Sequence, residues 1–192
     1  MIHAFTMLLI YVRCMLFIPH YILFSLNKVK YEADFKKWKK EQCLEDSSDF
    51  VAFIKLFLTE NSYRSVFYHR MGFDSRLISW LASGESTLYL FTDSADIGEG
   101  FYINHGFATV LNAKKVGRNF QVWQNVTIGV GHQYLDDRPV IGDNVRICAG
   151  AIVCGDINIG DNVIVGAGAV VMKSVPANCV VVGNPARIIK NF

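Results

Sequence analysis

Little in this sequence points to a metal, a disulfide frame or a nucleic acid. Its five cysteines, Cys14, Cys43, Cys148, Cys154 and Cys179, are odd in number and include no CxxC pair. They suit free thiols in a reducing cytoplasm better than a disulfide scaffold or a zinc site. An excess of one charge is missing as well, because 19 Lys and Arg stand against 17 Asp and Glu. That balance offers no field to recruit nucleic acid or an acidic polymer. No GxxxxGK[ST] phosphate loop, GxSxG elbow or HExxH pair occurs, and no metal is expected.

Long uncharged runs are absent too, although hydrophobic residues make up 52% of the chain. Arg13 and Pro19 interrupt the apolar first 27 residues, so neither part reaches the roughly 18 residues of a spanning helix. The same segment lacks the basic n-region and small-residue cleavage site of a signal peptide. Helices packed on the protein's own core or on a sister subunit are expected there, with His3, His20 and His69 as packing residues. The segment K28-VKYEADFKKWKK40 holds six lysines among aromatics. Such a pattern suits an anionic membrane surface, so peripheral membrane contact from the cytoplasm is a second reading.

Residues 1–88 read as an α-helical region. Phe50, Phe53, Ile54, Phe57 and Leu58 recur at helical spacing, and Gly72 and Gly84 are the expected helix breaks. Residues 89–192 read as a mainly β domain with a different beat. Aliphatic residues fall on every sixth place at Ile97 and Ile103; at Val110, Val116, Val122 and Ile128; and from Ile141 through Ile147, Val153, Ile159 and Val165 to Val171. The pentapeptide I141-GDNV145 returns as I159-GDNV163, three hexads later, so each coil has three sides. Short strands bury an apolar face only when stacked, which predicts a parallel β-solenoid with tight Gly-Asp-Asn corners. Two places break the beat. One is a slip beside His105 in F101-YINHGFATVL111, and the other is the loop G129-VGHQYLDDRP139.

Four segments on this repeat, I103-NHGFA108, V122-WQNVTIG129, V165-GAGAVV171 and V182-GNPARI188, carry a resemblance. In that order they resemble the hexapeptide-repeat acyltransferases, and among them the serine acetyltransferase-like branch, over about residues 63–192. The resemblance implies a left-handed parallel β-helix, a homotrimer with active sites between subunits, and acetyl transfer from acetyl-CoA to a hydroxyl. His105 matches the family's catalytic histidine, and imidazole is the side chain whose ordinary titration suits a general base near neutrality.

The resemblance assigns acceptor contacts to Asn104 and Gln124 and, in the loop, to His132, Asp136, Asp137 and Arg138. It assigns the cofactor to Asn125, Gly129, Ala149, Gly150 and Ala167, with Lys173 and Arg187 near the CoA phosphates. Backbone amides around Asn125 and Gly129 are candidate oxyanion donors. The chain departs from the branch in two places. Leu90 stands where an aspartate would orient the histidine, and Asp137 stands where an arginine would bind the carboxylate of serine. The expected acceptor is therefore a sugar or a lipid-linked surface-polysaccharide precursor. Serine O-acetylation for cysteine synthesis is the alternative, and a non-catalytic trimeric scaffold is a third reading.

Overall fold

Aromatic residues at helical spacing build the first of two compact units, Met1–Glu85 and Ser86–Phe192, in a computed structural model that describes residues 11–131 and 137–192. His3 lies outside the described residues. Among the described residues the helices of this unit include α1 (Ile18–Leu26), α2 (Lys28–Glu41), α3 (Asp49–Thr59) and α4 (Asn61–Met71). Pro19 sits in the first turn of α1, where a missing N–H costs nothing. Ser48 caps α3 by accepting from the Val51 amide at 3.4 Å. The core is aromatic, with Phe24, Phe35, Trp38, Phe53, Phe57 and Phe67 buried and Phe53 stacked on Phe57 at 4.5 Å.

Two readings of this region change. The buried face of α3 is Ala52, Phe53, Ile54, Leu56 and Phe57, whereas Phe50 turns outward and meets Tyr21 edge-on at 5.0 Å. Gly72 does end α4, with φ +59, but Gly84 breaks no helix. Gly84 lies against Ser65 so closely that a Cβ would strike its hydroxyl. The lysine-rich segment is also less basic than its composition, because acids neutralise much of it. Lys28 and Lys39 pair with Asp49 at 2.7 and 3.1 Å, Lys36 with Glu32 at 2.8 Å, and Lys37 with Glu41 at 2.8 Å. Among the described residues, no helix is long and apolar enough to cross a membrane.

The second unit is a parallel β-helix with three faces. Its first face stacks β1 (Leu88–Leu90), β3 (Thr109–Leu111), β6 (Thr127–Gly129), β9 (Ile152–Cys154) and β12 (Val170–Val171). The second stacks β4 (Lys115–Val116), β7 (Val140–Ile141) and β10 (Asn158–Ile159). The third stacks β2 (Tyr102–Ile103), β5 (Gln121–Val122), β8 (Arg146–Ile147), β11 (Ile164–Val165) and β13 (Cys179–Val182), and the antiparallel β14 (Arg187–Asn191) covers its end. Each strand turns one aliphatic residue inward over its neighbour. Leu111, Ile128, Val153 and Val171 form one column, and Ile103, Val122, Ile147, Val165 and Val181 another. All of these are buried, and each fully buried side chain of this size contributes about 1.5–3 kcal/mol.

The corner from second to third face shows why Gly-Asp-Asn recurs. A Cβ on Gly117 would come within 2.5 Å of the Gly142 backbone, so adjacent coils approach too closely for any side chain. Two residues on, Asn119, Asn144, Asn162 and Asn178 take φ between 56° and 61°. Their side-chain amides bond in a ladder, Asn119 to Asn144 at 3.0 Å, Asn144 to Asn162 at 3.1 Å and Asn162 to Asn178 at 2.8 Å.

The expected inward position of Val110 is corrected. Val110 is half-buried and pairs with Thr127, while Leu111 pairs with Ile128 and is fully buried. Eight residues therefore separate Ile103 from Leu111, against six from Val122 to Ile128, and only five lead from Leu111 to Val116. The single slip is thus a gain of two followed by a loss of one.

Candidate functional site

The corner from third to first face collects half of the expected site residues, Asn104, His105, Gln124, Asn125, Ala149, Gly150 and Ala167. Its coils stack in register through backbone bonds: Asn104 to Val122 at 2.9 Å, Trp123 to Ile147 at 3.0 Å, and Cys148 to Val165 at 2.9 Å. Two residues further along, Asn125 donates to Phe107 at 3.1 Å, Gly150 to Gln124 at 3.0 Å and Gly168 to Ala149 at 2.9 Å. Phe107–Ala108, Gln124–Asn125, Ala149–Gly150 and Ala167–Gly168 are therefore equivalent turns, one coil apart. What remains in the first coil is His105–Gly106, the two extra residues. The insertion is the histidine itself together with its glycine, rather than something that follows them.

This insertion is a tight loop. Phe107 donates to the His105 carbonyl at 2.7 Å, and His105 has φ 53°, a left-handed conformation uncommon for a residue with a Cβ. Ala108 shares that region at φ 51°. Two such residues three positions apart store conformational energy of about 1–3 kcal/mol each, and strain of this kind clusters at functional sites. The His105 side chain is exposed, and its imidazole makes no hydrogen bond among the described residues. One coil on, the buried Gln124 Oε1 has no hydrogen-bond partner among the described residues. An unmet acceptor costs about 1–3 kcal/mol, and a bound donor would satisfy it. Asn104 lies beside His105, with its Oδ1 3.5 Å from the Tyr102 hydroxyl.

The other expected residues are distributed differently. Gly129 is buried at the end of β6, and Asp137 and Arg138 are half-buried at the far corner of the same face, while His132 and Asp136 lie outside the described residues. Lys173 is exposed beyond β12 on that far corner, and Arg187 is exposed on β14. Within one chain Gly129, Asp137, Arg138, Lys173 and Arg187 do not share the corner of His105. Asn125 is also altered as an oxyanion donor, because its amide is already committed to Phe107. Leu90 pairs in register with Leu111, so it offers an apolar neighbour where an orienting carboxylate was sought.

Phe107 and Gly168 belong to this corner but carried no signal in the repeat. Phe107 is 45% exposed there. Cys148 and Cys154 flank the face with thiols pushed up by burial, which keeps them protonated and poorly nucleophilic.

The geometry has the form of a known class. Residues 138–173 match the family described as bacterial transferase hexapeptide (six repeats). The second unit folds as a left-handed parallel β-helix, preceded by a helical region. The chain is similar to serine acetyltransferases. It is 44% identical over 98 residues to that of Staphylococcus xylosus, covering 50% of this chain and 45% of the relative. It is 43% identical over 101 residues to mitochondrial serine acetyltransferase 3 of Arabidopsis thaliana, covering 52% of this chain and 26% of the relative. The chain thus spans less than half the length of either. The crystal structure of the Neisseria gonorrhoeae serine acetyltransferase in complex with serine superposes with a TM-score of 0.61 at 27% identity, covering 86% of this chain and 70% of that one.

Proposed function

We propose that the protein transfers acetyl from acetyl-CoA to the hydroxyl of serine, with His105 as general base. The observation that carries the chemistry is the exposed imidazole on a strained two-residue insertion, beside the unmet Gln124 acceptor. The acceptor assignment rests on the relatives, which are named serine acetyltransferases. In this reading His105 takes the acceptor's hydroxyl proton as the oxygen attacks the thioester carbonyl. The C–S bond then breaks, and the CoA thiolate leaves with the proton returned by the imidazolium. General-base action of this type contributes about 10²–10⁴-fold.

The row Ala149–Gly150 and Ala167–Gly168 suits the pantetheine arm, because no side chain longer than a methyl stands between a ligand and the backbone. A Cβ added even at Gly168 would meet nothing within 4 Å. Lys173 and Arg187, both exposed, would pair with the CoA phosphates. Asp137, Arg138 and Lys173 would reach His105 from a neighbouring subunit's facing corner, which is the reason to propose a homotrimer. Residues 89–192 would carry the transfer, and residues 1–88 the assembly.

A sugar or lipid-linked polysaccharide acceptor is the second reading, and one observation favours it. Leu90 and Asp137 supply neither an orienter for the base nor a cation for a carboxylate, and Asp137 would repel one. Acetyl-CoA incubated with L-serine, or with a panel of free hexoses and N-acetylhexosamines, separates the two when thiol release is followed. Serine-dependent release that falls at least 100-fold in His105→Ala supports the proposal. Release with sugars alone would replace the acceptor, and unchanged turnover in His105→Ala would remove His105 from the mechanism.

A further inference from the structure

Within the helical unit, Arg13 and Arg64 line one cavity of about 160 Å3 together with Leu16, Phe17, Phe57, Leu58, Leu81, Ala82 and Ser83. That volume equals about five water molecules. Neutral groups hold Arg64 in place: its guanidinium donates to the Ser83 carbonyl at 2.6 Å, to the Phe57 carbonyl and to Asn61 Oδ1. Among the described residues neither arginine forms an ion pair, and Glu60, an acid whose charge reaches Arg64, instead accepts from the Thr59 hydroxyl at 3.2 Å. Two like charges therefore share a cavity with aromatic and aliphatic walls and no carboxylate in its lining. Guanidinium groups match carboxylate and phosphate oxygens in pairs, which is the complement such a cavity lacks.

We propose that this cavity is a binding site for a small organic anion. A carboxylate or phosphate head sits between Arg13 and Arg64, and a short apolar body packs on Phe17, Phe57 and Leu58. The site lies wholly in residues 13–83 and does not depend on the acetyl-transfer reading. The same head-group chemistry could come from a free metabolite or from an anionic lipid. The lipid source has some support, because Val12, Met15, Ile18, Ile22 and Leu26 form an exposed apolar row along the same stretch of chain.

Titration calorimetry with the full chain tests the site using butyl phosphate, hexanoate and inorganic phosphate. Saturable binding is expected, tighter for butyl phosphate than for inorganic phosphate, and weakened about tenfold in Arg13→Gln, whose side chain is exposed and supports no described contact. Arg13→Lys should restore part of the affinity. Vesicles of phosphatidylglycerol, compared with phosphatidylcholine, identify the source. Binding to the anionic vesicles that butyl phosphate competes away assigns a lipid head group, and binding of butyl phosphate without vesicle binding assigns a free anion. No saturable binding of any probe, or equal affinity in Arg13→Gln, overturns the proposal.

Discussion

The Phe107 amide donates to the His105 carbonyl at 2.7 Å, folding the chain back on itself across Gly106. This bond closes the two-residue excursion that lifts the histidine out of the coil. Phe107 itself belongs to the regular wall, since its carbonyl accepts from Asn125 at 3.1 Å.

Deleting His105 and Gly106 together should therefore return the coil to hexad spacing. Because Ile103 and Leu111 keep their stacking partners, the deletion variant should melt within a few degrees of the parent while acetyl transfer falls to background. Removing Phe107 alone should be worse for stability, as it breaks the turn that Asn125 stacks on. Circular dichroism melts beside thiol-release assays distinguish the two.

Asn144→Ala should destabilise the β-helix more than Asn144→Gly. Both lose the ladder bonds from Asn119 at 3.0 Å and to Asn162 at 3.1 Å. Only alanine must also hold φ near 57° with a Cβ, at a cost of about 1–2 kcal/mol. Urea midpoints at constant m-value measure the difference.

Arg70 donates to Asp34 at 2.7 Å, and both side chains are buried. Asp34→Ala removes the carboxylate that compensates this buried charge and should cost about 3–5 kcal/mol. The double variant Asp34→Leu with Arg70→Met removes both charges and should recover most of that loss. A double-mutant cycle in urea tests it, and equal stability of Asp34→Ala and parent would contradict the pairing.

Stability should fall on mild acidification because of His20. The ring is fully buried, with Nδ1 3.2 Å from the Leu16 carbonyl and Nε2 3.0 Å from the Tyr68 hydroxyl. Burial, the largest cause, lowers its pKa in the folded protein, and Arg64 adds a smaller push in the same direction. The unfolded chain then binds the extra proton first, so this contribution is complete above the ordinary imidazole value of about 6.5 and is lost as pH falls below it. His20→Gln should flatten that part of the stability profile, read as denaturation midpoints between pH 5 and 8.

Much of the β-helix was legible because its rule is local. Each hexad must bury one aliphatic residue, so Ile141, Ile147, Val153, Ile159, Val165 and Val171 could be marked from spacing alone, and Gly-Asp-Asn marked the corners. The rule failed where two aliphatics stood together. Val110 and Leu111 are equivalent to a pattern, and only the bonds to the next coil select Leu111. For the same reason the sequence could detect that the beat slips near His105 but could not assign the extra residues to His105–Gly106. On α3 the spacing identified a helix, yet Phe50 in its first turn stays exposed while Phe53 and Phe57 enter the aromatic core.

The candidate site divides along the same line. Residue types and motif order were enough to single out His105, Asn104, Gln124, Ala149, Gly150 and Ala167, and coil stacking then brought them to one corner. The loop and terminal residues Asp137, Arg138, Lys173 and Arg187 were matched by motif, but the fold distributes them to other edges. The sequence by itself determined the repeat, its three faces and the histidine that interrupts it, since hydrophobic periodicity and turn chemistry act over a few residues. The tertiary structure alone decided which side chains point inward at the irregularities, that Gln124 Oε1 has no hydrogen-bond partner among the described residues, and that Arg13 and Arg64 line one cavity. Those outcomes depend on residues distant in the chain packing into the same space.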